Sequence, residues 1–295
     1  MNIDLLILTL NYFEKFFIKS ISYVLIYLLI EETVEKLLYD IRYQELNINV
    51  QDCRGIMTNS SLRHMANKLL NSPKYIDYNL FGTVTGRLST YQGSFPILTM
   101  KKELRMLVKP RNDWFLSLDY NGAEARTVLG LLDVEQPDHD IHDWNLNNIF
   151  KNNVQSREQA KEKFFSWLYN PDSNAIENSV YDRKALLDKY YGDGYVNTIF
   201  GRKIKVNDYK ALNYIIQSTT ADLVNNRAVE ISKFLKDKKS FVSHIVHDEI
   251  VIDLHGEEKH LVTEIEKIFK NNKLGQYKTN IKAAKNYYDL ETLNL

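Results

Sequence analysis

The sequence is poor in cysteine, glycine and proline. Its 295 residues include one cysteine, 11 glycines and 5 prolines. A single cysteine, Cys53, excludes an intramolecular disulfide and is typical of a protein from a reducing compartment. We interpret Cys53 as a small, half-buried residue. The chain is nevertheless long enough to bury a core, as one large domain or two smaller ones.

The sequence also lacks a net charge, because 38 Lys and Arg residues balance 38 Asp and Glu residues. The field of the whole molecule therefore gives no attraction toward a polyanion. Any contact with nucleic acid must come from local clusters of cations. The charged fraction of 26% and the hydrophobic fraction of 44% are ordinary for a soluble globular protein.

Long hydrophobic runs are scarce as well. Residues 16–30 are strongly apolar, but the uninterrupted part is about half of the roughly 20 residues that a spanning helix needs. Glu31 and Glu32 follow this segment, and no small-residue cleavage site of a signal peptide stands out. We therefore predict a helix that packs on a core or on a partner. A membrane anchor is the weaker alternative.

The pattern of the chain changes near residue 80. Residues 1–80 are mostly helical in pattern, with apolar residues at helical spacing around 31–42. Short β-like runs and long helices then alternate. The predicted elements are a strand at 114–118, helices at 123–132, 156–169, 208–236 and 257–271, a hairpin at 195–206 with a Gly201–Arg202 turn, and a second hairpin at 243–254. This order predicts an α+β domain with an antiparallel sheet.

One face of the helix that Ser156 begins carries four residues spaced by four: Arg157, Lys161, Phe165 and Tyr169. Cations bind phosphates, and aromatic rings stack on a base or a sugar. The residues are thus ordered like a nucleotide, with the phosphate end first. The alternative is a solvated basic turn followed by two core aromatics, which composition alone favours by roughly two to one.

Two aspartates stand at the ends of predicted strands. Asp119 follows the run at 114–118, and Asp248 lies at the tip of the hairpin at 243–254. A single aspartate in such a place is more often a turn residue. Two of them at the rims of adjacent strands would repel each other without a cation, and their oxygens suit Mg²⁺. Paired metals about 3.5–4 Å apart clamp the attacking and leaving oxygens in phosphoryl transfer.

Two further features are weak when taken alone. Asn213 and Gln217 lie four apart on the long helix, where their amides can donate to minor-groove acceptors. An ordinary polar helix face is the preferred reading of that pair in isolation. The segment Thr85–Ser89 suits a loop that directs Arg87 toward a phosphate or a base edge.

The order and spacing of these motifs resemble the polymerase domain of family A DNA polymerases, the bacterial DNA polymerase I type. The resemblance covers roughly residues 80 to 295. The matching segments are TGRLS at 85–89, DYNGAEAR at 119–126 (motif A), DIH at 140–142, the spaced residues at 157–169 (motif B), GYVNTIFGRK at 194–203, the helix with Asn213 and Gln217, and VHDE at 246–249 (motif C).

The resemblance implies a right-hand polymerase fold. An antiparallel-sheet palm would comprise residues 81–139 and 207–295, and shortened helical fingers would comprise residues 140–206. Residues 1–80 would form a reduced thumb or a segment that docks a partner, so the thumb is reduced or missing.

The implied activity is template-directed addition of dNTPs to a primer 3′-OH, with two Mg²⁺ ions for which Mn²⁺ can substitute. Asp119 and Asp248 would be the metal ligands and, with Lys161, the catalytic residues. The nucleotide would be bound by Glu124, His142, Arg157, Lys161, Phe165 and Tyr169. Glu124 would exclude a ribose 2′-OH. The primer–template would be contacted by Arg87, Arg126, Asn213, Gln217 and His247.

The chain also departs from the family pattern. Few residues join Tyr169 to Gly194, and the region before Thr85 contains no Asp-x-Glu. We therefore expect a minimal or split polymerase of the kind that some phages carry, without a proofreading exonuclease in this chain. It would work in the cytoplasm, the host's if phage-encoded, away from membranes, with a separate polypeptide supplying thumb, exonuclease or processivity functions. The alternatives are a single-subunit RNA polymerase-like enzyme and a non-catalytic DNA-binding subunit.

Overall fold

A computed structural model describes residues 31–51, 54–151, 154–176 and 180–293. The predicted apolar helix at 16–30 and the interpretation of Cys53 lie outside these ranges. Within them, no helix combines the length and the apolar character that crossing a bilayer requires.

Helices make up much of the described chain. Their bounds are α1 (31–42), α2 (Arg54–Thr58), α3 (Ser60–Leu70), α4 (Ala123–Leu131), α5 (Ile141–Trp144), α6 (Arg157–Tyr169), α7 (Arg183–Tyr190), α8 (Asp208–Phe234) and α9 (Val262–Lys270). A 3₁₀ segment, Gly256–Leu261, leads into α9. The predicted helices at 123–132, 156–169 and 208–236 are therefore confirmed to within two residues. The last predicted helix is α-helical only from Val262.

The strands are β1 (Asn47–Ile48), β2 (Tyr78–Asn79), β3 (Ser89–Thr90), β4 (Val108–Lys109), β5 (Trp114–Tyr120), β6 (Tyr191–Gly192), β7 (Tyr195–Asn197), β8 (Lys203–Lys205), β9 (Phe241–Val246), β10 (Glu249–Leu254), β11 (Asn271–Asn272), β12 (Gly275–Gln276), β13 (Thr279–Ala284) and β14 (Glu291–Thr292). The largest sheet has the order β14-β13-β5-β10-β9, and its neighbours are antiparallel. The predicted α+β class with an antiparallel sheet is confirmed.

Strand β5 is the centre of this sheet. Phe115, Leu116 and Leu118 are buried, which explains the continuous apolar run, since both faces of the strand are covered. The strand extends through Tyr120, two residues past the predicted end, because β10 and β13 pair with it on both sides. Asp119 therefore lies within the strand, directly opposite Glu249 of β10.

The β9–β10 hairpin places the second aspartate. Only His247 and Asp248 separate the two strands, so Asp248 lies at the tip of the hairpin, as predicted. His247 has φ of 58°, and a positive φ at the first turn position is a feature of the primed turns that fit the twist of a two-residue hairpin. Asp248 is thus fixed at the rim of the sheet, beside the paired residues Asp119 and Glu249.

The loop between β7 and β8 is longer than predicted. Strand β7 ends at Asn197 and β8 begins at Lys203, so the connection is 198–202 rather than a two-residue turn. The Thr198 N–H donates to the Arg202 carbonyl (3.0 Å), and the Thr198 hydroxyl accepts from the Arg202 N–H (3.2 Å). These bonds close the wider loop and fix Arg202 inside it.

Two hydrophobic clusters form the interior. The first covers the main sheet and includes α1 and α9, and α1 buries the periodic apolar residues that predicted it. The second gathers residues of α4, α6, α7, β7 and β8. Helix α8 belongs to both, with Ile215 and Ile216 in the second cluster and Leu223 and Val224 in the first. One continuous helix therefore joins the two parts.

Candidate active site

One cleft of about 500 Å³ is lined by parts of the chain that are far apart in sequence. It receives side chains from β5, α4, α5, α6, the β9–β10 turn and the loop between β2 and β3. The residues predicted from the sequence that line it are Arg87, Asp119, Glu124, His142, Arg157, Lys161, Phe165, Tyr169, His247 and Asp248. Arg126, Asn213 and Gln217 do not line it.

The two aspartates meet at the rim of the sheet. Burial, then the neighbouring Asp248 charge, raises the pKa of Asp119 to about 7. Asn280 of β13 donates from Nδ2 to Asp119 Oδ2 (3.2 Å), which partly opposes that rise. Asn280 was missed by sequence reasoning, since only the β13–β5 register brings it beside Asp119.

Glu249 has both carboxylate oxygens engaged. The Ser117 hydroxyl donates to Oε1 (2.5 Å), and the Tyr287 hydroxyl donates to Oε2 (2.6 Å). These bonds hold Glu249 in place as a structural neighbour of the aspartate pair.

The aspartate pair suits a divalent cation. Among the described residues, no group of three or more His, Cys, Asp or Glu side chains is arranged to hold a metal. Mg²⁺ does not require such a cage, because it binds through one or two carboxylates and keeps water or phosphate oxygens. Burial first, and the Asp248 charge second, raise the pKa of Asp119, and a bound cation would oppose both effects. Asp119 and Asp248 therefore fit a magnesium site.

Helix α6 presents its cation–aromatic face to the cleft. Ser156 caps the helix by accepting from the Gln159 N–H (3.2 Å). Phe164 and Trp167 face the core, whereas Phe165 and Tyr169 line the cleft, with ring centroids 5.8 Å apart and planes 10° apart. The core aromatics of this helix are therefore Phe164 and Trp167. Phe165 and Tyr169, for which a core position was the alternative, line the cleft instead.

Asp140 orients the first cation on that face. Its carboxylate accepts from Arg157 Nε (3.0 Å) and Nη2 (2.8 Å), and from Asn121 Nδ2 (2.6 Å). It also caps α5 by accepting from the His142 N–H (2.9 Å). Burial alone would raise the pKa of Asp140, but the bonds from Arg157 and Asn121 outweigh it and hold that pKa below its ordinary value. Sequence reasoning assigned Asp140 no role, although the DIH segment contains it.

His142 is neutral at pH 7 in this cleft. Burial, together with the Arg157 and Lys161 charges, lowers the pKa of His142 to about 4, although Asp140 acts against them. The imidazole therefore offers a hydrogen bond, and Arg157 and Lys161 supply the positive charge.

Glu124 is held between two partners. Arg87 Nη2 donates to Oε1 (2.5 Å), and the Tyr169 hydroxyl donates to Oε2 (3.0 Å). Burial raises the pKa of Glu124, while Arg87 and Tyr169 oppose the rise. The carboxylate is thereby fixed in the cleft between the β2–β3 loop and the end of α6.

Arg126 does not occupy the predicted position. Its side chain is fully buried at 0% exposure. Nε donates to the Asn121 carbonyl (2.7 Å), Nη1 to the Pro137 carbonyl (2.9 Å) and Nη2 to the His139 carbonyl (2.8 Å). A guanidinium that is engaged with the backbone in this way cannot reach DNA. The structure corrects the predicted DNA contact to a structural role, that of tying α4 to the segment before α5.

Asn213 and Gln217 lie one turn apart on α8, outside the cleft lining. The Gln217 side chain lies beside the Tyr169 hydroxyl, so it borders the cleft. Asn213 Oδ1 is buried with no hydrogen-bond partner among the described atoms. Their predicted contact with DNA stays a prediction.

Comparison with curated proteins gives a consistent set of relatives. The chain is 25% identical over 239 residues to DNA polymerase I of Caldicellulosiruptor bescii, covering 63% of this chain and 28% of that protein. It is 23% identical over 249 residues to DNA polymerase I of Aquifex aeolicus (69% and 43%). It is 24% identical over 241 residues to the thermostable DNA polymerase I of Thermus aquaticus (64% and 29%). The chain thus spans less than half of each of these relatives.

A solved structure shows the same fold. The POL domain of Pol1 from M. smegmatis, in complex with DNA primer–template and dNTP, superposes with a TM-score of 0.62 at 14% identity, covering 90% of this chain and 66% of that one. No protein-family model matches the chain. The chain is thus similar to relatives named DNA polymerase I and to a solved POL domain, and these likenesses support a family A polymerase domain.

Proposed function

We propose that the chain is a template-directed DNA polymerase that adds dNTPs to a primer 3′-OH. One observation carries the proposal: the same cleft holds the aspartate pair, the cation–aromatic face of α6 and the fixed carboxylate Glu124. These three features supply what phosphoryl transfer needs, which is positioning and charge neutralisation.

Asp119 and Asp248 would hold two Mg²⁺ ions, which neutralise charge on the reacting phosphate oxygens when bound. Arg157 and Lys161 would bind the triphosphate, with Arg157 oriented by Asp140. Lys161 lies with its Nζ 6.0 Å from the Phe165 ring centroid. This ammonium would also donate a proton to the departing pyrophosphate.

The remaining cleft residues would select and align the substrates. Phe165 and Tyr169 would pack on the incoming nucleotide and the template base, and His142 would donate a hydrogen bond to the triphosphate. Glu124 would occupy the space that a ribose 2′-OH needs. The primer–template would be contacted by Arg87 and His247 at the cleft and by Asn213 and Gln217 beside it.

The main sheet, in the first hydrophobic cluster, would belong to the palm, and α6 and α7, in the second, would belong to the fingers. Helix α4 would belong to the palm as well, although it packs in the second cluster with α6 and α7. The matched part of each curated relative is a minority of its length.

Primer extension with the purified chain and dNTPs tests the proposal. Asp119→Asn and Asp248→Asn are each expected to reduce incorporation by more than about 100-fold, since metal-assisted charge stabilisation supplies several kcal/mol. Asp188→Asn is the matched control, because Asp188 is exposed on α7 and outside the cleft.

Three results would contradict the proposal. Full activity in either cleft variant would refute the metal assignment. Equal use of NTPs and dNTPs would refute the role of Glu124 and favour an RNA polymerase. Binding of primed DNA without incorporation, with or without partner chains, would favour a non-catalytic subunit.

A further inference from the structure

We propose that Arg202 is a positioning residue for sugar selection in the cleft, although it does not line the cleft. Arg202 would act through Gly86, which it supports, and through Arg87, which holds Glu124. The inference rests on the proposed polymerase function, and it assigns Arg202 and Gly86 a role in choosing dNTPs over rNTPs.

The first step is a buried ion pair. Arg202 Nε donates to Asp222 Oδ2 (3.1 Å), and Nη2 donates to Asp222 Oδ1 (2.7 Å). The side chains of Arg202 and Asp222 are 10% and 5% exposed. A forked pair of this kind fixes the plane of the guanidinium, and a buried pair does not tolerate loss of one partner. Arg202 is thus a rigid support, anchored to α8.

The second step is the packing of Gly86 on that support. Gly86 has φ of 76°. A Cβ at this position would lie 2.6 Å from Arg202 Cζ and 3.1 Å from Arg202 Nε, well inside van der Waals contact. Because Asp222 holds the guanidinium, the β2–β3 loop would have to move instead. Only glycine lets the loop lie directly against Arg202.

The third step joins Gly86 to the cleft. The next residue, Arg87, donates to Glu124 Oε1, and its carbonyl accepts from the Thr83 hydroxyl (2.7 Å). Among the residues that the structure describes, Arg87 and Tyr169 are the two side chains that donate to the Glu124 carboxylate. A shift at residue 86 therefore withdraws one of the two supports of Glu124, the residue proposed to exclude a 2′-OH.

Gly86→Ala tests this chain of contacts, with Gly93→Ala as the matched control. Gly93 lies just after β3, also with a positive φ (91°), and a Cβ there would meet nothing within 4 Å. Both variants carry the backbone strain of a positive φ, and only Gly86→Ala also presses on Arg202. The measurement is the ratio of kcat/KM for a dNTP to that for the matching rNTP. Gly86→Ala is expected to lower this ratio about tenfold, and Gly93→Ala is expected to leave it unchanged.

Introducing Gly86→Ala into an Arg87→Ala variant tests whether the effect of residue 86 on sugar selection passes through Arg87. In that variant, adding Gly86→Ala is expected to cause no further fall in the ratio, because the contact that it disturbs is already gone. A full additional effect in that background would overturn the proposal. So would equal ratios for Gly86→Ala and Gly93→Ala, since general destabilisation lowers the use of both sugars together.

Arg202→Lys covers the case in which Gly86→Ala does not fold. It keeps a positive charge beside Asp222 but loses the planar fork. Its melting curve shows whether it is folded, and an unchanged sugar ratio in the folded variant would overturn the proposal. A wild-type chain that incorporates no dNTP would instead refute the proposed function. The two failures are therefore distinguished by the wild-type activity.

Discussion

At the scale of single residues, burial decides the charge state of several groups. His244 of β9 is the clearest case, being fully buried at 0% exposure. Its Nδ1 shares a hydrogen bond with the Ser243 hydroxyl (2.9 Å), while its ring packs edge-on against Tyr287 at 4.7 Å. Burial, assisted by the nearby Arg105 charge, lowers the pKa of His244 to about 3. The imidazole is therefore neutral throughout the physiological range.

Because His244 is buried in its neutral form, we expect the protein to lose stability in acid. Between the unfolded pKa near 6.5 and the folded pKa near 3, the unfolded state binds a proton that the folded state does not. The free energy of unfolding therefore falls as the pH falls. The contribution of His244 makes it roughly 2–3 kcal/mol lower at pH 4.5 than at pH 7. His244→Phe is expected to reduce the difference in unfolding free energy between pH 7 and pH 4.5, measured by urea unfolding. His260→Phe, at an exposed position, is the control and should behave as wild type.

At the scale of elements, α6 shows how local signals place functional side chains. Ser156 caps the helix, and Gln159 Oε1 accepts from the Gln155 N–H (2.9 Å), one residue before the expected capping-box partner. Buried Phe164 and Trp167 then fix which face turns to the core. The cap and the periodicity are both within the helix, so the sequence was sufficient to predict α6. Composition alone favoured core positions for Phe165 and Tyr169, and only the family resemblance indicated that they face a binding site.

Removal of the cap should weaken α6. Ser156→Ala is expected to lower the unfolding free energy by about 1 kcal/mol, because it leaves the Gln159 N–H without its acceptor. Ser156→Asp should retain wild-type stability, since a carboxylate caps equally well and suits the helix N-terminus. Thermal unfolding of the three proteins provides the measurement. Equal losses in both variants would contradict a capping role.

Contacts between elements that are far apart along the chain could not be predicted from the sequence. The β9–β10 hairpin and α6 are local, and they were predicted close to their observed bounds. Asn280 and the Arg202–Gly86 contact depend on pairings across more than a hundred residues, for which a single sequence has no signal. The predicted DNA contact of Arg126 was wrong for the same reason. The sequence shows the position of Arg126 in its motif, but it does not show the backbone carbonyl oxygens that bind its guanidinium.

At the scale of the whole molecule, the two hydrophobic clusters share α8. The helix contributes to the second cluster from its first half and to the first cluster from its second half. Ile199 and Leu274 also pack against both. Loss of either cluster would expose one half of a continuous helix, so the two parts should unfold together.

A matched pair of core truncations tests this coupling. Phe164 of the second cluster and Phe269 of the first are each 0% exposed. Changing either one to Ala is expected to lower the free energy of unfolding by about 3–5 kcal/mol. Each variant should keep a single unfolding transition. Circular dichroism and tryptophan fluorescence should give coincident melting curves. Two separated transitions in either variant would show that the clusters unfold independently.

The central position of β5 has a consequence during synthesis of the chain. Both neighbours of this strand, β10 and β13, are encoded well over a hundred residues later. At about 5–20 residues per second, a ribosome leaves β5 with two open edges for roughly ten seconds. Open apolar edges invite pairing with other chains. The edges of β5 therefore stay open to such pairing until residue 284 has emerged and the sheet closes around Asp119.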